Sequence, residues 1–430
     1  MIQERRGRFG FWSLVLLGVN CVIGSGIFLL PGKAMELAGP ASLLVYLFTT
    51  LVVLAVAVCF AECSGKFQRD GAAYVYAREA FGEFIGFEVG LMSWAIRIIA
   101  WAAMAVAFVT ALSSIWPAAL QWPWKALLVV AILGGLGIIN SLGVRPTRLL
   151  NNLVTVGKLL PLLVVGLIGL FFLHGSNFHP LFPKGFSLDA FGATSLLIFY
   201  AFTGFEALAV AAEDIENPRR NLPIAFLVVM GLCSGLYCMI QAVAVGTLGP
   251  ALARSNAPVA AAAAAFLGPA GGWLVVIGSL LSIGGINVAS SFTAPRTGVG
   301  LAEDGVIPRR MAELNRFGAP QWSILATVLL AIPVALSGSF VQLAAISMVS
   351  RFAQYLPTCV AVIVLRRKRP DLTSRFTIPF GPFIPIVAVI VCLWLLSKAT
   401  HTQLSWGLGA LVIGVLLYGA MKLVKPAALT

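Results

Sequence analysis

Gly18-Val19-Asn20-Cys21-Val22-Ile23-Gly24-Ser25-Gly26-Ile27-Phe28 lies inside the first apolar segment of the chain, 11–30. The segment is long enough to cross a bilayer as a helix. Gly24-Ser25-Gly26 nevertheless interrupts it near its middle. Glycine costs about 1 kcal/mol relative to alanine in a helix interior, and in lipid an opened backbone has no water to bond. Irregular backbone survives at membrane depth only where it is buried in protein or lines a cavity. Amides freed at such a break can hold a carboxylate, as a helix N-terminus does. The break is therefore the first candidate for a substrate site.

The rest of the chain fits a membrane setting. It has 430 residues, 60% hydrophobic and 10% charged, with mean hydropathy +0.97; a soluble protein carries about 25% charge. Twelve apolar segments are long enough to span: 11–30, 39–63, 84–112, 126–143, 152–173, 191–211, 222–248, 270–293, 321–337, 341–365, 379–397 and 404–424. The first lacks a small-residue cleavage site and is expected to be retained. Net charge is +13, which raises nucleic acid as a partner, but its distribution excludes that reading. With the N-terminus inside, 21 of the 29 Lys and Arg fall in inner loops and tails, Arg296 among them, and five in outer loops. The other three, Arg97, Lys158 and Arg351, fall within spans. This asymmetry predicts a multi-pass protein of the cytoplasmic (inner) membrane with both termini cytoplasmic and anionic lipid headgroups as neighbours. The seven cysteines form no metal-ligand cluster or disulfide framework, so neither metal nor cofactor is expected. The spans hold no Ser/His, His-Glu-x-x-His or paired-aspartate arrangement and the chain has no Walker loop, which excludes an intramembrane enzyme and an ATP-driven pump.

A second broken helix is predicted at 191–211, in Phe199-Tyr200-Ala201-Phe202-Thr203-Gly204-Phe205-Glu206. It opens the second block of five segments, as segment one opens the first. Interrupted segments at matching positions of two repeats point to a transporter binding site.

Four motifs, in order, resemble the amino acid–polyamine–organocation (APC) superfamily of amino-acid permeases. They are Gly18 to Phe28; Phe202 to Glu206 followed by Glu213 to Pro223; Pro295-Arg296, Leu301 to Pro308 and Ala319-Pro320; and Leu365 to Asp371 with Ile378-Pro379. The resemblance implies an all-α, polytopic fold of twelve transmembrane helices. That fold is a five-plus-five inverted repeat (LeuT-like) with helices one and six broken. One transport domain would comprise repeat one at about 11–173, repeat two at about 191–365 and two added helices at about 379–424. It implies alternating access for a small amino-acid substrate. Carried over, the region of Gly24 and the amides near Ser25, Gly26 and Ile27 would hold the α-carboxylate. Carbonyls of Ile23, Tyr200, Ala201 and Thr203 would hold the α-ammonium.

Ionisable groups inside spans are functional hypotheses by default. Lys158 is placed about two turns into a helix whose start Asn151 and Asn152 mark, so snorkelling is the bland alternative. Relatives without sodium dependence carry a lysine here, its amine filling what is a sodium site elsewhere in the fold. It either carries a proton or tethers helix one to helix eight near Ser290 and Ser291. Glu206, beside the second break, is a candidate for proton binding, gating or contact with a polar substrate. Arg97 cannot lose its proton and must find an anion or water; Glu206 and, by an indirect path, Glu88 are the candidates. Some similar transporters that accept anionic amino acids have an arginine in this helix, so an unpaired Arg97 would favour an acidic substrate. Tyr200 resembles a gating aromatic, Phe202 flanks the same break, and Trp101 lies one turn from Arg97. Arg351 reads as structural. In the arginine–agmatine exchange branch an aromatic on helix eight stacks on the guanidinium; here Ile286 stands in its place, with Asn287 beside it. Together with Arg97 this disfavours a dibasic substrate. The expectation is sodium-independent proton symport or exchange of a neutral L-amino acid. An acidic exchanger using Arg97 and a non-transporting sensor are the alternatives. Oligomeric state is not read from the sequence.

Overall fold

The computed structural model describes residues 8–113, 116–183, 186–255, 257–338, 343, 347 and 350–424. Arg5, Arg6, Lys184 and Lys425, counted above, lie outside the described residues, as does the Lys422 side chain, and so does most of 341–349 at the start of the tenth segment.

Segment one divides into α1 (Phe11–Val22) and α2 (Gly26–Ala38). There follow α3 (Ser42–Lys66), a short α4 (Ala73–Phe81), α5 (Glu83–Leu112), α6 (Trp124–Ser141) and α7 (Val144–Gly169). The second half holds α8 (Leu188–Phe202), α9 (Pro218–Leu248), α10 (Pro258–Glu303), α11 (Gln321–Ser337), α12 (Phe352–Lys368), α13 (Phe383–Leu396) and α14 (His401–Val424). Among the described residues seven helical stretches are long and apolar enough to cross a membrane, and shorter apolar helices occupy other predicted spans. Among the described residues the sole β-pairing is one parallel bridge, Phe9 to Ile215.

α7 shows how the sequence selects its faces. Asn151, Thr155, Lys158, Leu162 and Val165 recur at three- and four-residue steps and are buried, while Leu149, Leu153, Val156, Leu160, Leu163 and Leu167 recur on the opposite face and are exposed. Apolar groups left exposed in a regular stripe suit a helix with one side in lipid and one in protein. α10 packs on α5 and α7, α3 packs on α9, and α1 contacts α7, α9 and α10.

Two expectations are corrected. α7 begins at Val144, where Gly143 supplies a left-handed turn at φ 105°, and not at Asn151. Lys158 is then about four turns inside the helix at ~3.6 residues per turn. It is fully buried, so it does not snorkel. Arg296, counted as a loop residue, lies within α10, fully buried against Asp214.

Candidate substrate site

The two breaks have local causes. α1 ends at Ile23, whose backbone is extended, and α2 starts after Ser25. The Phe28 and Leu29 amides both donate to the Ser25 carbonyl at 3.2 Å, which leaves Gly26 and Ile27 as the open amides of the first turn. α8 ends at Phe202; Thr203 is extended and Gly204 takes φ 112°, a left-handed value that glycine adopts without penalty. A 3-10 turn, Phe205–Ala209, follows. The breaks abut: a Cβ on Gly204 would collide with the Cys21 carbonyl, and one on Gly26 would stand 3.0 Å from Ala201.

A compact cavity of about 70 Å³ lies between them. Gly24, Ser25 and Gly26 line it from the first break, and Tyr200, Ala201, Thr203 and Gly204 from the second. Arg97 on α5 and Ile286 and Ser290 on α10 complete the predicted residues that reach it.

Other predicted residues do different work. Ile27 is fully buried and does not line the cavity; its open amide lies next to that of Gly26 in the first turn of α2. Phe202 is buried with its ring 4.8 Å from that of Tyr237. Trp101 is fully buried in a separate apolar cluster of α5, α6 and α11. Asn287 turns away and donates to the Met104 carbonyl at 3.0 Å, joining α10 to α5. Ser291 donates to Val288 at 2.7 Å within its own helix.

Lys158 faces the first break from behind. Its Nζ donates to the Asn20 carbonyl at 3.0 Å and also to the Ile23 carbonyl. On α10 the neighbour is Ser282, whose hydroxyl donates to Ile23 at 3.0 Å; the expected approach to Ser290 and Ser291 is corrected accordingly. The carbonyls assigned to the ammonium are largely engaged. Ile23 accepts from Lys158 and Ser282, Tyr200 from the amide and hydroxyl of Thr203 at 3.1 and 2.8 Å, and Ala201 from Tyr237 at 2.9 Å. The Thr203 carbonyl accepts none among the described residues.

The expected Arg97–Glu206 pair is corrected as well. Glu206 is fully buried and committed elsewhere: Oε1 pairs with Arg351, and Oε2 accepts from Tyr355 at 2.9 Å and from the Gly204 amide at 2.9 Å. Arg97 Nε is buried without a hydrogen-bond partner. Glu88 does not supply one; its carboxylate faces Gly414 on α14. Sequence reasoning missed Tyr237, Ser282 and Tyr355, which nothing in their own segments marks. Arg351 was visible as an in-span charge, but its position on the cavity wall was not.

Residues 9–417 match the profile of the family described as Amino acid permease. The chain belongs to that family, within the APC superfamily. The permease is 32% identical over 415 residues to an uncharacterised transporter of Mycobacterium tuberculosis, covering 89% of this chain and 86% of the relative. It is 27% identical to the methylthioribose transporter of Bacillus subtilis (95% and 91% covered) and 27% identical to the branched-chain amino acid permease of the same organism (97% and 93% covered). In structure it is similar to MhsT in complex with L-phenylalanine, with TM-score 0.63 at 17% identity, over 93% of this chain and all of that one. At that identity the likeness bears on fold alone: the permease is LeuT-like. The family and its relatives make it a transporter rather than an enzyme.

Proposed function

We propose that this permease moves an L-amino acid across the cytoplasmic membrane by alternating access, with the substrate between the breaks of α1–α2 and α8. The observation that carries this reading is the cavity itself. The open amide of Gly26 stands on one side to receive a carboxylate, with that of Ile27 next in the same turn, and Thr203, whose carbonyl accepts no hydrogen bond among the described residues, stands on the other to receive an ammonium. Two repeats at about 11–173 and 191–365 would rock against each other, with 379–424 appended, and the charge asymmetry supports cytoplasmic termini. Lys158 supports sodium independence, because its ammonium occupies the carbonyls of Asn20 and Ile23 that a monovalent ion would need.

The cargo is not transferred from relatives, since the two from Bacillus subtilis are named for different substrates. The expectation of a neutral substrate left open whether Arg97 pairs with an anion of the protein or meets the substrate. Arg97 pairs with none among the described residues, and the acidic alternative gains from that. Uptake into proteoliposomes tests the transport reading. Accumulation into empty vesicles under a pH gradient identifies proton symport, and uptake only into preloaded vesicles identifies exchange. Binding without either would assign the protein to sensing and end the proposal.

A further inference from the structure

The charge balance of the cavity names a substrate class. Arg97 is 7% exposed, lines the cavity, and has its Nε unpartnered. A guanidinium stays charged in a protein, and a buried charge without a counter-ion is costly. The chain contains 16 acidic residues; among the described ones none forms a hydrogen bond or ion pair with Arg97, and Glu206 attracts it only at longer range. Glu206 is held by Arg351, Tyr355 and the Gly204 amide. Glu62 pairs with Arg366, Asp214 with Arg296, and Asp304 with Arg69 and Arg78. Positions 339–349, mostly outside the described residues, contain no Asp or Glu. Glu4 is the single acidic residue outside the described set, at the cytoplasmic end of the chain.

Arg97 and Arg351, which line the cavity, against Glu206 leave one excess positive charge, and the Lys158 ammonium behind the first break adds to it without lining the cavity. A zwitterion does not remove it, because its carboxylate is met by the α2 amides and its ammonium by a carbonyl. A ligand with a second carboxylate does, and a dibasic ligand would worsen the imbalance. We infer that the cargo is a dicarboxylic amino acid whose side-chain carboxylate is received by Arg97. The inference rests on the transport reading and goes further by fixing the class of substrate.

The test sets L-aspartate and L-glutamate against L-asparagine and L-glutamine, which match them in size and lack the charge. Purified full-length protein is assayed by thermal shift and by exchange in preloaded proteoliposomes, in gluconate buffer so that chloride does not occupy Arg97. A charge-assisted contact predicts a preference for the acids of about ten-fold or more. In Arg97→Gln the ratio of acid to amide bound or exchanged is expected to fall about ten-fold, whatever the total rate; Arg97→Lys is expected to keep it. If Arg97→Gln does not fold, the wild-type comparison decides alone. A wild type that exchanges the amides or other neutral amino acids but ignores both acids overturns the inference and leaves the transport reading intact. Preference for acids undiminished in a folded Arg97→Gln removes Arg97 from the role. No exchange or binding of any amino acid defeats the underlying reading instead.

Discussion

The α-carbon of Gly204 is seated against the carbonyl of Cys21, so that the backbones of the two broken helices touch with no side chain between them. This contact fixes how closely the breaks approach and therefore the size of the cavity they enclose. Gly204 also holds φ at 112°, where a side chain costs about 1–3 kcal/mol before any clash. Gly204→Ala is expected to lower thermal stability and abolish uptake. Wild-type exchange rates in this variant would show that the breaks need not meet.

Lys158 joins α7 to the end of α1 through the Asn20 and Ile23 carbonyls. Removing the ammonium leaves buried acceptors short of donors, at about 1–3 kcal/mol each. Lys158→Ala is expected to lose thermal stability and both modes of uptake, gradient-driven and exchange, because the first break loses its support. Exchange that persists while only the pH-driven component disappears would instead identify Lys158 as a proton carrier.

Beneath the cavity, Arg296 on α10 pairs with Asp214 at 2.5 Å and lies over the Phe292 ring at 3.6 Å. Phe9 packs on Phe292 and is bonded to Asp214 and Glu216 through its backbone. These contacts join the chain before α1 and the turn after α8 to α10, one turn from Thr293 on the cavity wall, a position suited to closing that end of the cavity. Leaving one partner of a buried ion pair uncompensated costs about 3–5 kcal/mol. In Arg296→Gln the closure is expected to loosen, and Cys21, which lines the cavity, to react faster with a small alkylating reagent when the other six cysteines are replaced by alanine. Unchanged reactivity would show that the seal lies elsewhere.

At the surface after α10, Asp304 accepts from Arg69 and Tyr74, each at 2.8 Å, and pairs with Arg78. Burial pushes its carboxyl up, but the hydrogen bonds from Arg78, Arg69 and Tyr74 outweigh this and hold it below its ordinary 3.8. A depressed carboxyl contributes stability that is present above 3.8 and lost as pH falls through the folded value. The arginines are partly exposed, so each pair contributes about 1 kcal/mol or less. The stability difference between wild type and Asp304→Asn is expected to hold from neutral pH to about 4 and shrink below it. A difference that changes between pH 7 and 5 would mean another group controls this contact.

Much of the site was legible because lipid restricts the backbone. Gly24-Ser25-Gly26 and Thr203-Gly204 are unsuited to unbroken helix, and membrane depth leaves such sequences few other uses, so both breaks and their pairing could be read directly. The start of α7 was misread because Asn151 resembles a boundary residue, whereas its amide oxygen accepts from Asn20 at 2.8 Å inside the bundle. Asn287 was placed near the cavity by its neighbour Ile286, but one helical position is about 100° of rotation, enough to turn it to α5. Trp101, a turn from Arg97, was placed there by helix face, but it packs into the cluster of α5, α6 and α11.

The sequence by itself determined that the chain crosses a membrane many times, that two of its spans open at matching places, and that Arg97, Lys158, Glu206 and Arg351 are charges needing partners. Those follow from local composition and from the cost of exposing backbone or charge to lipid. Only the tertiary structure decided which partners they take. Glu206 closes onto Arg351 and Tyr355, Lys158 onto two carbonyls of the first break, and Arg97 is left open to the cavity. Ion pairing depends on distances of a few ångströms between residues more than a hundred positions apart, and no local pattern in a single chain encodes them.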